Sequence, residues 1–414
     1  MRPRRREEEI VHADARARAR SLRIGIIGTG FSGIGAAAQF VQAGFPDVVL
    51  FERADEIGGT WRDNTYPGCA CDIRSHLYSF SFFANPHWTR EFPGQAEIQQ
   101  YLLRCVDHFD LRRRVVFDAE IAEACWDEVA SQWHLTTVSG AEYVVDVLVN
   151  ATGPLSRPAT PHIPGLDRFG GTVFHSARWN HDHSLAGERV ALIGTGASAI
   201  QIVPEIAPIV EHLDVFQRTA PWVVPRDDGE ISAERRRRYA RHPLAARAHR
   251  AGIYLGNEVL GAAFRGNERI AEKVRAAALE HIDAQVSDPE LRARVTPDYA
   301  PGCKRLLISN TWYPALQRPN VSLVTDGIET VTATGIVTAD GVEHSCDTIV
   351  LATGFAATEF LAPMRVIGRD GQVLSDVWRP GAATHRGIAV HGFPNLWLLV
   401  GPNTGLGHNS WLLE

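Results

Sequence analysis

Apolar residues follow the same order in two separate stretches of the chain. Each stretch has a short apolar strand, a glycine-rich turn, a segment with helical apolar periodicity and then a second apolar strand. In the first stretch the strands are 23–27 and 48–51, and the turn is Gly28-Thr29-Gly30-Phe31-Ser32-Gly33. In the second stretch the strands are 189–193 and 213–216, and the turn is Gly194-Thr195-Gly196-Ala197-Ser198-Ala199. The pattern predicts two strand–turn–helix–strand units of one design.

Both turns have the G-x-G-x-x-G/A spacing of dinucleotide-binding loops. Gly28, Gly30 and Gly33 supply it in the first unit, and the second copy ends in Ala199, which this fingerprint allows. The glycines permit a tight turn and let a pyrophosphate reach backbone N–H groups at the start of the helix. One such turn alone could serve packing only. Two copies in the same context predict an α/β fold with two Rossmann-type dinucleotide-binding domains.

A second repeat and a change of composition suggest how the chain is divided. Residues 146–153 and 347–354 match in spacing, and each predicts a strand that ends in Ala-Thr-Gly. Residues 226–298 are rich in Arg and Ala and predict a helical insertion, in which the arginine run 235–238 is either a solvated helix face or a patch for an anionic partner. We expect a disordered N-terminal arm over 1–20, a first domain over 21–155 and 346–414, and a second domain over 156–225 and 299–345, with the helical insertion at 226–298.

Composition excludes several other classes of protein. The formal charge is −6, so binding of nucleic acid through overall charge is not expected. No stretch approaches about 18 uninterrupted apolar residues, and no apolar signal-peptide core is present near the N-terminus. The six cysteines form no C-x-x-C pair, which indicates neither a zinc site nor a dithiol redox centre, and 181–183 (His-Asp-His) has no third ligand signalled nearby. We expect a cytoplasmic protein without a metal or a membrane span, either monomeric or weakly homo-oligomeric.

The residue at the end of each second strand indicates which nucleotide each unit binds. Glu52 ends the strand of the first unit, where a carboxylate accepts hydrogen bonds from unphosphorylated ribose hydroxyls, as FAD requires. In the second unit Gln217 replaces the acid, which removes repulsion toward a 2′-phosphate, and Arg218 and Thr219 can bind that phosphate. The alternative for Arg218 is an ordinary surface arginine. We therefore predict FAD in the first unit and NADPH in the second.

Two further motifs resemble those of a known family. Gly58-Gly59-Thr60-Trp61 through Tyr66-Pro67-Gly68 to Asp72 is similar to the G-G-x-W-x(4)-[FY]-P-G-x(3)-D pattern of Baeyer–Villiger monooxygenases, the class B flavoprotein monooxygenases. Residues 169–179, with His175 and Trp179, resemble the F-x-G-x(3)-H-x(3)-W fingerprint of the same family. Flavin-containing monooxygenases share the second motif but usually carry Tyr at the position of Trp179. The resemblance runs from about Leu22 to Asn409, and Asn180 departs from it, since the family usually has Pro or Asp there.

The resemblance implies a reaction. In this family NADPH reduces the flavin, O₂ adds to flavin C4a, and the resulting peroxide attacks a ketone, so that oxygen is inserted to give an ester or lactone. The same intermediate can oxidise nitrogen or sulfur, and an N- or S-oxygenating enzyme is therefore the alternative activity. The identity of the ketone is not indicated by any residue.

The resemblance also assigns roles to individual residues. Arg305, which follows Lys304, matches the family's catalytic arginine, and Lys304 matches the partner of the NADP 2′-phosphate; a salt-bridged surface Lys-Arg pair is the alternative. Asp72 is expected to lie against this arginine and the nicotinamide. His175 is expected to couple NADPH binding to domain rotation, or else to be a hydrogen-bonded structural histidine. The residues expected to bind the two cofactors are Gly28, Gly30, Gly33, Glu52, Gly59, Thr60, Trp61, Asp72, Tyr78, Thr195, Gly196, Ser198, Ala199, Arg218, Thr219 and Lys304.

The end of the sequence gives a further expectation. Residues 405–408 predict the approach to a last helix, with Asn409 or Ser410 as its N-cap, and the sequence stops at Glu414. Family members usually continue for several dozen residues beyond this point. We therefore expect weak retention of FAD and loss of much of the NADPH as hydrogen peroxide, because so short a helix does not sustain itself in water. In the extreme case the chain is a truncated nucleotide-binding flavoprotein with little turnover.

Overall fold

The computed structural model describes residues 21–264, 266–406, 409–410 and 412. The arm predicted over 1–20 lies outside these residues. Within the described ranges, none of the helices has both the length and the apolar character that crossing a bilayer requires.

The described residues form strands, α-helices and short 3₁₀ helices. The strands are β1 Ile24–Ile27, β2 Val48–Phe51, β3 Val115–Val116, β4 Ile121–Asp127, β5 Gln132–Thr137, β6 Glu142–Val145, β7 Val147–Asn150, β8 Thr172–His175, β9 Arg189–Ile193, β10 His212–Phe216, β11 Val223–Val224, β12 Leu307–Ile308, β13 Val321–Val324, β14 Ile328–Val331, β15 Gly335–Thr338, β16 Glu343–Ser345, β17 Thr348–Leu351, β18 Arg365–Ile367 and β19 Leu396–Leu398. The α-helices are α1 Phe31–Gln42, α2 Thr60–Asp63, α3 Gln95–His108, α4 Ala199–Ile206, α5 Ala233–Arg241, α6 Pro243–Phe264, α7 Glu268–Gln285, α8 Pro289–Val295, α9 Trp312–Leu316 and α10 Leu374–Val377. Short 3₁₀ helices cover Arg112–Arg114, Leu166–Arg168, Ser176–Arg178 and Arg369–Gly371.

Two parallel five-stranded sheets form the centre of the molecule. The first has the order β19-β7-β1-β2-β3, and the second has the order β13-β10-β9-β17-β8. Their inner strands are buried on both faces, which explains the continuous apolar runs in the sequence. The prediction of an α/β fold with two dinucleotide-binding domains is confirmed.

The two sheets repeat the same local construction. Gly28 and Gly194 have φ of +106° and +121°, and a Cβ on either would lie 2.6 Å from the Ala151 carbonyl oxygen or 2.4 Å from that of Ala352. These two alanines belong to the Ala-Thr-Gly repeats at the ends of β7 and β17. The repeats therefore occupy equivalent places, where a backbone carbonyl packs against the first glycine of each turn.

Strand pairing shifts one predicted domain boundary. The sequence places the end of the second domain's last segment at residue 345, but β17 pairs in parallel with both β8 and β9 in the second sheet. The second sheet therefore extends through Leu351. The reason is that Ala352, which follows β17, must lie against Gly194 to complete the second turn.

Residues 226–298 contain helices α5 to α8, which lie along the chain between β11 and β12. Three of these helices begin at side-chain caps: Ser232 accepts from the Arg235 N–H, Asn267 from Ile270, and Asp288 from Glu290 and Leu291. From α6, Arg250 Nη1 donates to the carbonyls of 76, 77 and 79 at 3.0, 3.0 and 2.8 Å. The helical segment is thereby fixed to a loop that follows the first sequence motif.

Candidate active site

A cavity of about 510 Å³ lies between the glycine turns of the two sheets. It is lined by 28–32 from the first turn, by 196–198 from the second turn and by 58–64 from the first motif. Asp72 and Arg305 also line it. This is the place where doubly wound sheets bind nucleotides, at the carboxyl ends of their strands.

The first turn fits a nucleotide with a free ribose and a pyrophosphate. Helix α1 begins at Gly30 with no capping side chain and no acidic residue in its first turn, so its first N–H groups are available to an anion. Glu52, which directly follows β2, is buried and accepts from the Thr29 N–H at 3.1 Å. Arg62 forms an ion pair with the other oxygen of Glu52 at 2.9 Å and keeps the carboxylate oriented beside the cavity. Arg62 occupies a variable position of the first motif, so the sequence did not single it out.

The wall beside the first turn is formed by the glycine-tryptophan motif. Gly59 has φ of +54°, and a Cβ there would lie 2.9 Å from Gly30 Cα, which leaves no room for a side chain. Trp61 Nε1 donates to the Tyr78 hydroxyl at 2.9 Å, and both residues line the cavity together with Thr60. The structure therefore brings these predicted flavin-contacting residues to one wall.

Asp72 and Arg305 form an ion pair inside the cavity. Arg305 Nε and Nη2 donate to the same oxygen of Asp72, Oδ2, at 2.8 and 2.6 Å. The pair joins two distant parts of the chain, since Asp72 closes the first motif and Arg305 precedes β12. Burial alone would lower the pKa of Arg305, but the neighbouring Asp72 carboxylate outweighs this effect and raises the pKa. The guanidinium therefore stays charged.

The second turn fits a second dinucleotide. Helix α4 begins after Ser198 with no side-chain cap and no acidic residue in its first turn. A Cβ on Gly196 would meet no atom within 4 Å, so the space beside this turn is open. The Thr195 hydroxyl donates to the Thr219 carbonyl at 3.2 Å and ties the turn to the segment that carries Arg218.

The residues expected to bind the 2′-phosphate lie away from the cavity wall. Arg218 and Lys304 are exposed, and the Lys304 ammonium lies 4.8 Å from the centre of the Tyr299 ring. Gln217 is buried and donates to the Arg294 carbonyl at 2.7 Å, so its amide holds β10 to helix α8. Its assignment to the 2′-phosphate environment, like those of Arg218, Thr219 and Lys304, stays a prediction.

The histidines of the second fingerprint and of the loop after it are hydrogen-bonded. His175 ends β8, is buried, and accepts from the Ala177 N–H through Nδ1 at 3.0 Å. Burial lowers the pKa of His175, partly opposed by the Gly354 backbone. His181 bonds to Thr65, and His183 bonds to Glu188 and Thr348. Among the residues that the structure describes, no group of three or more His, Cys, Asp or Glu is placed to hold a metal ion.

The last described residues approach the same cavity. Asn409, Ser410 and Leu412 line it, and Ser410 Oγ accepts from the Leu412 N–H at 3.2 Å, as an N-cap does. The Asn409 amide donates to Glu258 of helix α6 at 2.9 Å. Residues 407, 408, 411, 413 and 414, on which the rest of the expected helix rests, lie outside the described residues.

Two glycine turns and an Arg–Asp pair that line one cavity fit a flavoprotein of the two-dinucleotide class, and comparisons with known proteins agree. Residues 21–231 match the family model described as flavin-binding monooxygenase-like. The chain is 49% identical over 396 residues to a Baeyer–Villiger monooxygenase of Pseudomonas aeruginosa, covering 95% of this chain and 75% of that protein. It is 48% identical over 392 residues to a Baeyer–Villiger monooxygenase of Streptomyces coelicolor, again covering 95% and 75%.

Solved structures agree with the sequence matches. A cyclohexanone monooxygenase from Rhodococcus sp. Phi1 bound to NADP⁺ superposes with a TM-score of 0.84 at 32% identity, covering 95% of this chain and 82% of that one. An oxidised steroid monooxygenase bound to NADP superposes with a TM-score of 0.82 at 33% identity, covering 95% and 83%. The chain belongs to the Baeyer–Villiger monooxygenase family, and its cofactors are FAD and NADPH.

Proposed function

We propose that this chain uses NADPH and O₂ to insert an oxygen atom beside a ketone carbonyl, and that Arg305, held by Asp72, stabilises the negative charge that develops. The observation that carries the proposal is the Arg305–Asp72 pair in the cavity between the two nucleotide turns. The products are esters or lactones. The enzyme is therefore an FAD-containing, NADPH-dependent monooxygenase.

Each cofactor has residues of this chain to bind it. The first turn, Glu52, and the wall formed by Thr60, Trp61 and Tyr78 would hold FAD. The second turn would hold the NADPH pyrophosphate, and Arg218, Thr219 and Lys304 its 2′-phosphate. When bound, FAD would supply the redox chemistry between NADPH and O₂.

Arg305 is suited to its proposed role because its charge is permanent. A guanidinium keeps its protons at any working pH, so it stabilises a negative oxygen without protonating it. Asp72 occupies the Nε and Nη2 side of the group and leaves the Nη1 side for the reacting oxygen. Asp72 also fixes the rotamer of Arg305, so the charge is in place before the substrate arrives.

The test is turnover by the purified, FAD-loaded protein. We expect NADPH and O₂ to convert members of a panel of cyclic and linear ketones to lactones or esters, with one oxygen atom derived from ¹⁸O₂. A parallel sulfide panel measures heteroatom oxidation. Sulfoxide formation without any ester or lactone across the ketone panel would contradict the proposal.

We also propose that the protein acts in the cytoplasm as a monomer or a weak homo-oligomer. All six cysteines are free, as a reducing compartment favours. Light scattering of the FAD-loaded protein over a range of concentrations measures the oligomeric state. A stable tetramer at low concentration would contradict this assignment.

A further inference from the structure

A loop of the first domain is inserted into the core of the second. Tyr66, from the Tyr-Pro-Gly part of the first motif, is buried among the core residues of the second sheet, including Phe174 and Ile202. Gly68 has φ of +77°, and a Cβ there would lie 2.7 Å from the Gln201 carbonyl oxygen on helix α4. Residues of the first motif therefore form a contact between the two domains. We call residues 65–70 the docking loop.

Gln201 binds the docking loop through its whole side-chain amide. Its Oε1 accepts from the Tyr66 hydroxyl at 3.1 Å and from the Ala70 N–H at 3.3 Å, and its Nε2 donates to the Ala70 carbonyl at 3.1 Å. Burial raises the pKa of Tyr66 above its ordinary value, so the hydroxyl stays protonated and remains a donor. One glutamine thus satisfies two backbone groups and one buried hydroxyl across the domain boundary.

We propose that Gln201 and Tyr66 are positioning residues that transmit occupancy of the NADPH turn to the Asp72–Arg305 pair; the proposal rests on the function proposed above. Gln201 lies one helical turn after Ser198, at the end of α4 that would receive the coenzyme pyrophosphate. Ala70, at the other end of the contact, is two residues before Asp72. The path from the coenzyme to the catalytic pair is therefore a short helix, one amide and two residues of backbone.

This arrangement explains why the contact includes hydrogen bonds in addition to the buried Tyr66 ring. A purely apolar contact would hold the domains together regardless of the orientation of α4. The three bonds to Gln201 form only when α4 and the docking loop have one relative position, and in that position Asp72 lies against Arg305. Binding of the coenzyme to α4 then favours the aligned state over a state in which the docking loop has withdrawn.

Cys69 provides a measure of docking that does not depend on turnover. It lies within the docking loop and packs against the second core, and burial raises the pKa of its thiol to about 12. Withdrawal of the loop would expose this thiol and increase its rate of alkylation. Cys125, on β4 in the first domain, serves as the internal reference.

The experiment compares Gln201→Met and Tyr66→Phe with Tyr313→Phe. Tyr313 is a matched control because it is buried in the same core and its hydroxyl has no hydrogen-bond partner among the described residues. Alkylation of Cys69 by iodoacetamide is followed by peptide mass spectrometry in the FAD-loaded protein, with and without NADP⁺. The ester or lactone formed per NADPH consumed is measured in parallel.

We expect NADP⁺ to slow Cys69 alkylation in the unmodified protein. Alkylation should be faster by about five-fold in Tyr66→Phe, the effect of one lost neutral hydrogen bond, and by more in Gln201→Met, which loses three. In both variants NADP⁺ should protect less. Product per NADPH should fall while FAD binding and anaerobic reduction by NADPH persist. Tyr313→Phe should behave like the unmodified protein.

Unchanged Cys69 alkylation and unchanged product per NADPH in Gln201→Met and Tyr66→Phe would overturn the proposal. Equal effects in Tyr313→Phe would also overturn it. If Gln201→Met does not fold, Tyr66→Phe decides, because it removes one oxygen atom and keeps the packed ring. Failure of the proposed function would look different. In that case the unmodified protein would form no ester or lactone, whereas faster Cys69 alkylation in Gln201→Met and Tyr66→Phe without NADP⁺ would still report withdrawal of the loop. The comparison without NADP⁺ is the decisive one, because Cys69 lines the cavity and bound coenzyme also shields it directly.

Discussion

At the scale of single residues, the site depends on a charge that is permanent and held in place. Arg305 is partly exposed to the cavity and has its Nε and Nη2 committed to Asp72. The attraction to Asp72 exceeds the cost of partial desolvation, so the pKa of Arg305 is raised. Either residue alone would stabilise a negative oxygen less well, since an unpaired arginine is free to change rotamer and an unpaired aspartate repels a negative oxygen.

Replacement of Arg305 should separate the two halves of the reaction. We expect Arg305→Ala to bind FAD, because its proposed role is at the reacting oxygen and not at the first turn or Glu52, which would hold the dinucleotide, and to lose ester formation by at least about 100-fold. Arg305→Lys should recover part of this loss by restoring a charge, but not the geometry given by two hydrogen bonds. Flavin absorbance after desalting and product chromatography measure the two effects. Near-normal ester formation by Arg305→Ala would remove Arg305 from the mechanism.

Coenzyme choice is a second property that single residues determine. Because Gln217 replaces an acid and Arg218 can bind a phosphate, NADPH should be preferred over NADH. We expect Arg218→Ala to reduce the ratio of kcat/KM for NADPH to kcat/KM for NADH by about 10-fold. This is the lower end of the loss expected when a hydrogen bond to a charged group is removed, because Arg218 is exposed. Arg237→Ala, an exposed arginine on α5, is the control. Equal kcat/KM values for NADPH and NADH in the unmodified protein would refute the assignment.

At the scale of elements, the two glycines of the second turn have different physical tasks. Gly194 has positive φ and lies against the Ala352 carbonyl, so it serves the fold. Gly196 has open space where a Cβ would lie, so its lack of a side chain serves the ligand. The G-x-G spacing therefore combines one structural and one binding requirement.

Alanine substitutions should separate these tasks. Gly194→Ala should destabilise the protein by about 1–3 kcal/mol or more, because it adds strain at positive φ and a clash with backbone. Gly196→Ala should leave the free energy of unfolding nearly unchanged and weaken NADP⁺ binding, since the new methyl group occupies the approach to the turn. Urea unfolding and NADP⁺ titration measure the two properties. If Gly196→Ala bound NADP⁺ normally, the second turn would not be the pyrophosphate site.

The elements that the sequence predicts well are those whose signal is local. Both glycine turns and their flanking strands are encoded within about 30 residues, the length of one βαβ unit, and the structure contains both. The extent of the second sheet was misjudged because β17 belongs to it through pairing with β8, which is far away in the sequence. Gln201 was missed for a related reason: its partners, Tyr66 and Ala70, lie in the other domain. The variable position of Arg62 in the first motif concealed its bond to Glu52.

At the scale of the whole molecule, the buried His76 and the half-buried His249 join the helical segment to the first domain. His76 lies in the loop to which Arg250 donates hydrogen bonds. The centre of its ring is 5.1 Å from that of His249 on α6 and 4.9 Å from that of Tyr239 on α5. Arg235 bonds to His249 at 3.2 Å and to Glu91 at 2.6 Å, and Arg74 also pairs with Glu91. Neither nitrogen of His76 has a hydrogen-bond partner among the described residues. The junction therefore requires a neutral ring at position 76.

Because of this junction, the folded protein should lose stability as the pH falls. Burial, followed by the charges of His249 and Arg235, lowers the pKa of His76 to about 4, and burial also lowers the pKa of His249. Because an unfolded histidine titrates near 6.5, the unfolded state takes up the proton first. The stabilisation is complete above about pH 6.5 and is lost as the pH falls toward about 4, with a contribution from His76 on the order of 3 kcal/mol.

We expect the free energy of unfolding in urea to decrease between about pH 7 and pH 4.5, and His76→Phe to reduce that slope, because an apolar ring of similar shape removes the proton site. His87→Phe, at an exposed position, is the control and should keep the slope. Circular dichroism measures global unfolding, and protease cleavage within 233–285 measures release of the helical segment. If His76→Phe and the unmodified protein lost stability equally over this range, the acid sensitivity would have to arise elsewhere, and the histidine junction would be only a packing contact.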